Sequence, residues 1–304
     1  MIHIKVSVII PTYNAGEELK GILEKVPSTY EVVIIDSSSK DNTVSIAKSF
    51  GCKVKVIAQS EFNHGTTRNL ASQIASGDIL VYLTQDAIPV NEKSLNCLIE
   101  PLIQNDDIVM AYGRQLPHVG AKIMGSFARL HNYPDQSMVK SLEDKDRLGI
   151  KTAFCSNSFS AYRRDVFEKV GMFPSDVILS EDTFVCAKML LLGYKVAYVS
   201  EAMVYHSHDY SIIEEFKRYF DIGVFYGREN WILKEFSEAE SEGIKFVLEQ
   251  FKYLLKNKAP HRTIELVLRN GMKYIGYKLG MFEPKLPVSL KKRLSMHKGY
   301  WIND

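Results

Sequence analysis

The chain has 304 residues, 46% of them hydrophobic, enough to bury a sizeable core and to exclude a disordered or fibrous protein. Its 38 basic and 36 acidic residues nearly cancel, so overall charge gives no support to a nucleic-acid partner. Cys52, Cys97, Cys155 and Cys186 are widely spaced with no Cys-x-x-Cys pair, which favours free thiols in a reducing, cytoplasmic compartment.

The apolar run 6–10 ends at Pro11, far short of a signal segment or of the roughly 20 residues that span a bilayer. Short β-branched runs at 4–10, 31–35, 53–57, 79–83 and 108–112 read as strands, with amphipathic segments between them. Such alternation predicts an α/β fold with a mostly parallel sheet flanked by helices, whose ligand crevice lies beyond the carboxyl ends of the strands. The segments that follow the first four runs are polar: Pro11-Thr12-Tyr13-Asn14, Asp36-Ser37-Ser38-Ser39, residues 59–65, and Thr84-Gln85-Asp86. Residues 113–150 show weak periodicity and read as an irregular excursion over the sheet. A helix is expected from Ser180 with a stop at Gly193, followed by a strand over 195–199 and a strand-like run at 202–205. Beyond Tyr210 the chain reads as helical, giving two regions: 1–209 as the catalytic domain and 210–304 as a helical appendage.

Transfer of a sugar from a nucleoside diphosphate needs a pocket for the base, a divalent cation for the leaving group, and a general base for the acceptor hydroxyl. Asp36 stands at a strand end where it would accept from a nucleobase or ribose; with Asp41 it is equally read as capping the next helix. Asp86 offers a hard oxygen to Mg²⁺ or Mn²⁺. His206, with His208 beyond it, offers an imidazole that Mn²⁺ tolerates better, or is a structural histidine. Glu181-Asp182 opens a helix, where acidic residues also complement the helix dipole; the chemical reading makes Asp182 the general base. Arg68, near His64 and Asn69, is placed to clamp phosphate or to lie on a solvated helix face. Gly65 is expected to serve a close backbone approach or a positive φ.

The order of these segments resembles family 2 glycosyltransferases with the GT-A fold over about the first 210 residues. Val6-Ser7-Val8-Ile9-Ile10-Pro11-Thr12-Tyr13-Asn14 matches the opening strand and loop, and residues 34–43 match the nucleoside-binding segment. The resemblance implies that Asp36 contacts the base, Arg68 the nucleotide, Asp86 the metal, Glu181-Asp182 the acceptor and His206 the metal. It extends substrate contacts to Pro11, Thr12, Tyr13, Asn14, Ser38, His64 and Gln85. Two positions depart from the family: Thr84 stands where the Asp-x-Asp motif has its first carboxylate, and Ser37 replaces the acidic residue after Asp36.

Residues 61–69 and 83–87 look like bacterial rhamnosyltransferases of O-antigen and capsule assembly. That likeness implies a dTDP-β-L-rhamnose donor, inversion at the anomeric carbon, and a glycan acceptor linked to undecaprenyl diphosphate. UDP-hexose or UDP-N-acetylhexosamine transfer is the alternative within the fold; a sugar-nucleotide binder without activity is the reading from another class. A nicotinamide dehydrogenase is disfavoured because no Gly-x-Gly-x-x-Gly follows the first strand. The aromatic C-terminal helices and the run Lys291-Lys292-Arg293 near Trp301 suggest peripheral contact with the cytoplasmic face of a membrane, or a homodimer interface.

Overall fold

The computed structural model describes residues 4–236 and 240–302. In chain order the first half runs β1 (Val6–Thr12), α1 (Gly16–Leu23), β2 (Glu31–Asp36), α2 (Thr43–Ser49), β3 (Lys53–Val56), α3 (His64–Ile74), β4 (Ile79–Leu83), β5 (Ile88–Pro89), α4 (Ser94–Gln104) and β6 (Ile108–Leu116). There follow α5 (Ile123–Asn132), β7 (Met138–Lys140), α6 (Lys145–Leu148), β8 (Phe159–Arg163), α7 (Arg164–Lys169), α8 (Glu181–Leu191) and β9 (Lys195–Tyr205). Helices α9 (Ile212–Arg228), α10 (Asn230–Phe236), α11 (Glu240–Lys256), α12 (Thr263–Met281) and α13 (Val288–Leu294) complete the chain.

Among the described residues nine strands form one sheet in the order β3-β2-β1-β4-β8-β6-β9-β5, with β7 paired to β9. Strands β1 to β4 are mutually parallel where they pair, as the βαβ alternation requires. Beyond β4 the sheet is mixed, because β8 runs antiparallel to both β4 and β6 while β9 lies parallel to β6. Strands β1, β2 and β4 are apolar and largely buried along their lengths, as expected for strands covered on both faces. The two runs at 195–199 and 202–205 form one strand, β9, whose register against β6 shifts between Gly113 and Arg114. A Cβ on Gly113 would strike the Phe159 ring and the Ala202 carbonyl, so the irregularity needs glycine there.

The expectation of an irregular 113–150 is corrected. This stretch contains the end of β6, the ten-residue helix α5 and strand β7. The apolar face of α5 is completed from far along the chain, where Phe127 meets Phe246 and Tyr253 of α11 with ring centroids 5.1 and 5.3 Å apart.

The C-terminal helices share a core with the sheet. Phe220, Val224 and Phe225 of α9, Phe236 of α10 and Trp301 belong to the same buried cluster as Ile9, Tyr82 and Cys186. Helices α9 and α12 cross at backbone contact, since a Cβ on Gly276 would meet the Phe216 carbonyl and one on Gly280 the Phe220 carbonyl. The basic run expected to approach a membrane is partly turned inward: Trp301 is fully buried, and Lys291 pairs with the buried Glu283, which Arg228 also holds at 3.0 Å. Among the described residues no helix is long and apolar enough to cross a membrane.

Candidate active site

The carboxyl ends of β1, β2 and β4 meet at one edge. Asp36, at the end of β2, is fully buried and accepts hydrogen bonds from Thr12 Oγ1 at 2.9 Å, Ser39 N at 2.8 Å and Ser39 Oγ at 2.5 Å. It therefore clasps the loop after β2 instead of facing outward. Asp41 accepts from Thr43 N and Oγ1 at 3.0 and 2.5 Å, which is the capping reading. Tyr13, Asn14 and Ser38 are among the exposed groups of this edge. Asn14 and Ser38 adopt φ of 50° and 61°, conformations sustained only where surrounding bonds hold them. Asn14 Oδ1 accepts from Lys40 N at 2.8 Å, and Ser38 Oγ donates to the Ile57 carbonyl at 2.7 Å. Gln85 closes the edge by accepting from Tyr13 N at 2.7 Å and donating to Tyr13 O at 3.2 Å. Pro11 pairs with Ile35 inside the ladder.

Strand β5 runs antiparallel to β9, with Ile88 opposite Tyr205. This pairing carries Asp86 to the end of β9, where His206 and His208 emerge. His206 Nδ1 lies 2.8 Å from Gln115 Oε1, an oxygen that also accepts from Arg129 Nη1 at 2.6 Å. An arginine only donates, so the Gln115 amide orientation is fixed and His206 must donate from Nδ1. Burial lowers the His206 pKa, keeping the ring neutral near pH 7 with its lone pair on Nε2. That nitrogen faces Asp86 Oδ2 at 3.4 Å, and His208 Nε2 stands 3.6 Å from the same oxygen. Burial likewise takes His208 down to about 4. The three ligand atoms lie within 4.8 Å of one another. The lone pair of His206 Nε2 set against the ionised Asp86 carboxylate repels, and a divalent cation between them removes that conflict; with His208 Nε2 beside the same oxygen, the donor set fits a metal.

Glu181 and Asp182 start α8, directly after Ser180, which has φ of 62°. Asp182 accepts from Asn157 N at 2.9 Å and Thr183 N at 2.7 Å. Burial, and next the adjacent Glu181 charge, push Asp182 up to about 6 against those two N–H bonds. Glu181 moves the other way: burial opposes its charge, but Arg68 and His64 outweigh burial and lower its pKa. Arg68 is 3% and Glu181 5% exposed, and Arg68 Nη1 lies 3.1 Å from Glu181 Oε1 while donating to the His64 carbonyl at 2.9 Å. The His64 ring packs edge-on against His297, with centroids 5.3 Å apart.

Arg68 and Glu181, expected to touch nucleotide and acceptor, are thus each other's buried partners, and together they anchor the start of α8 beneath Asp182. Breaking a buried ion pair strands a charge, so Arg68→Met is expected to cost about 3–5 kcal/mol of stability. Adding Glu181→Gln should recover most of that loss, and urea denaturation of both variants checks the pair. Gly65 serves a close approach, since a Cβ there would overlap the Pro174 carbonyl; its φ is not positive.

Asn157, Gln115 and Arg129 escape the sequence reading, and His208, noted there only as lying beyond His206, proves to stand with the candidate ligands. His208 joins Asp86 and His206, and its spacing of two from His206 was a usable signal in an extended segment. Asn157 holds both carboxylates, donating to Glu181 Oε1 from Nδ2 at 3.0 Å as well as to Asp182 from its backbone. Gln115 and Arg129 orient His206 and carried no local signal.

Solved structures with this architecture include a mannosyltransferase from Pyrobaculum calidifontis, described in complex with GDP-Man and Mn²⁺ (TM-score 0.56, 16% identity, covering 99% of this chain and 86% of that one). Another is Staphylococcus aureus TarS 1–349 (TM-score 0.55, 18% identity, covering 92% and 91%). At those identities the likeness establishes the fold, which is the GT-A class of mixed α/β sheet with flanking and C-terminal helices. The profile of glycosyl transferase family 2 matches residues 7–171. The O-antigen chain rhamnosyltransferase RfbN of Salmonella typhimurium is 45% identical over 98% of this chain and 96% of its own length. WbaN of Salmonella anatum, with the same description, is 44% identical over the same shares. The chain belongs to glycosyl transferase family 2.

Proposed function

We propose that this chain is an inverting, metal-dependent rhamnosyltransferase of O-antigen synthesis, moving L-rhamnose from dTDP-β-L-rhamnose to a hydroxyl of a lipid-linked glycan at the cytoplasmic face of the membrane. The observation that carries the chemistry is the meeting of Asp86, His206 and His208 at the β5–β9 end of the sheet, in a fold that also presents Asp182. Identity of 45% and 44% with two rhamnosyltransferases, along nearly the whole chain, supports the sugar.

In this reading residues 1–209 carry the catalysis and 210–304 face the acceptor. Tyr13, Asn14, Ser38 and Gln85 line the nucleotide side, while Pro11, Thr12 and Asp36 hold that edge in shape and His64 with Arg68 supports α8. Asp86, His206 and His208 would hold the cation, and two imidazoles suit Mn²⁺ better than Mg²⁺. When bound, the cation supplies positive charge to the departing diphosphate. Asp182 takes the proton of the acceptor hydroxyl as its oxygen bonds to the anomeric carbon and the bond from that carbon to the diphosphate oxygen breaks on the opposite face. Configuration passes from β-L to α-L, and the proton leaves Asp182 to solvent after release. A pKa near 6 suits this task, since a base that binds protons more tightly pulls harder while remaining mostly ionised at pH 7.

The deciding experiment follows nucleoside diphosphate release by purified protein with dTDP-L-rhamnose and with UDP-sugars, each with Mn²⁺, Mg²⁺ or EDTA. Release of dTDP that needs the metal and is selective for rhamnose is expected. Selective UDP release would keep the mechanism and overturn the donor.

A further inference from the structure

Helices α11 and α12 each carry two apolar faces. The inner ones are satisfied: Leu254 and Leu266 are buried with Met124 and Ala259, and Asn270 Nδ2 donates to Gln250 Oε1 at 2.8 Å. On the outer side of α11, Ile244, Leu248, Phe251 and Leu255 recur at helical spacing and are all exposed, Ile244 by 68%. On α12, Ile264, Val267, Leu268, Tyr274 and Ile275 do the same, Ile264 by 74%. A monomer in water seldom presents two such apolar stripes without a partner.

The charges around it select the partner. Among the described residues from 243 to 275, the exposed charged side chains are Lys245, Lys252, Lys256 and Lys258. The carboxylates of that span are tied up, Glu249 by His131 at 2.8 Å and Glu265 by Arg262 and Arg269 at 3.0 and 2.9 Å. A second copy seated on this face by a two-fold axis would bring lysines against lysines. A layer of apolar chains beneath anionic headgroups meets both the stripe and the lysines.

The same face leads inward. A cavity of about 770 Å³ is lined by Ile244, Leu248 and Tyr274 of the outer stripes and by Tyr219 and Tyr226 of α9.

We propose that the outer face of α11 and α12 docks on an anionic lipid bilayer, turning the cavity mouth toward an amphiphilic acceptor held in that bilayer. The acceptor rests on the function proposed above; the docking does not.

Flotation of the whole chain with phosphatidylglycerol-containing vesicles, against phosphatidylcholine alone, tests the docking. Association with the anionic vesicles only, weakened by salt, is expected. Lys252→Gln with Lys256→Gln should weaken it about tenfold or more, at the usual contribution of a lysine near a charged membrane. Ile264→Glu and Leu255→Glu, exposed and away from the cavity, should abolish flotation while metal-dependent hydrolysis of the donor stays unchanged. Failure to float with either vesicle overturns the proposal, as does flotation that the variants leave intact. A dimer that Ile264→Glu dissociates would overturn it in favour of a second copy. If donor hydrolysis is absent throughout but flotation follows this pattern, the docking stands and the catalytic reading falls.

Discussion

Asp182→Asn is expected to lower turnover by about 10²–10⁴-fold, the range for loss of a positioned general base, with the KM for the sugar nucleotide close to that of the unaltered protein. The substitution keeps the side-chain shape, so the start of α8 should survive, although the amide cannot accept from Asn157 N and Thr183 N as two carboxylate oxygens do. Steady-state kinetics with a saturating acceptor separates the two constants, and retained turnover would remove Asp182 from the role.

The same residue sets a pH dependence. Burial and the Glu181 charge raise Asp182 to about 6 from an ordinary 3.8, and a base works only when deprotonated. The rate should therefore rise with pH through about 6 and level off above it. Stability moves oppositely. A carboxyl whose folded pKa lies above its unfolded value is protonated preferentially in the fold, so this group's contribution falls between pH 3.8 and about 6 and is constant above. In Asp182→Asn both dependences should vanish together, which distinguishes this group from the other carboxylates.

The second large effect is expected at the metal ligands. Asp86→Ala removes the sole carboxylate of the Asp86, His206 and His208 group, and should reduce transfer by at least the 10–100-fold that loss of an outer partner of a metal ligand costs. Gln115→Ala supplies that lesser case: without the oxygen 2.8 Å from His206 Nδ1, the imidazole can put its proton on Nε2 and spoil the ligand. Its Mn²⁺ affinity should fall about 10–100-fold and activity should return at high Mn²⁺, whereas Asp86→Ala should not be rescued. Titration of Mn²⁺ in the presence of nucleoside diphosphate measures both, and transfer indifferent to EDTA and to Asp86→Ala would exclude the cation.

Much of this protein is written in local patterns. The runs at 31–35 and 79–83 are strands β2 and β4 almost to the residue, because hydrophobic and β-branched character along a short segment reports its burial directly. The helix expected at Ser180 begins at Glu181. Polar residues at consecutive strand ends located the edge, since a parallel sheet leaves its ligand crevice there. Strands β5, β7 and β8 left no such trace. Strands β5 and β7 are two and three residues long, too short for a period to emerge, and β8, Phe159–Arg163, has no β-branched residue to mark it; they exist because neighbouring strands accept them.

The sequence by itself therefore determined the α/β class, the family and the edge at which the candidate site residues gather, because those follow from periodicity and from motifs contiguous in the chain. Tertiary structure alone decided what each polar residue does there. The β5–β9 pairing carries Asp86 to His206, and the fold buries Arg68 against Glu181. Asp36 is closed in by Thr12 and Ser39. A charged side chain reads the same in sequence whether it meets solvent, a metal or a counter-ion. Its burial and its partner come from segments distant along the chain, which no local pattern reports.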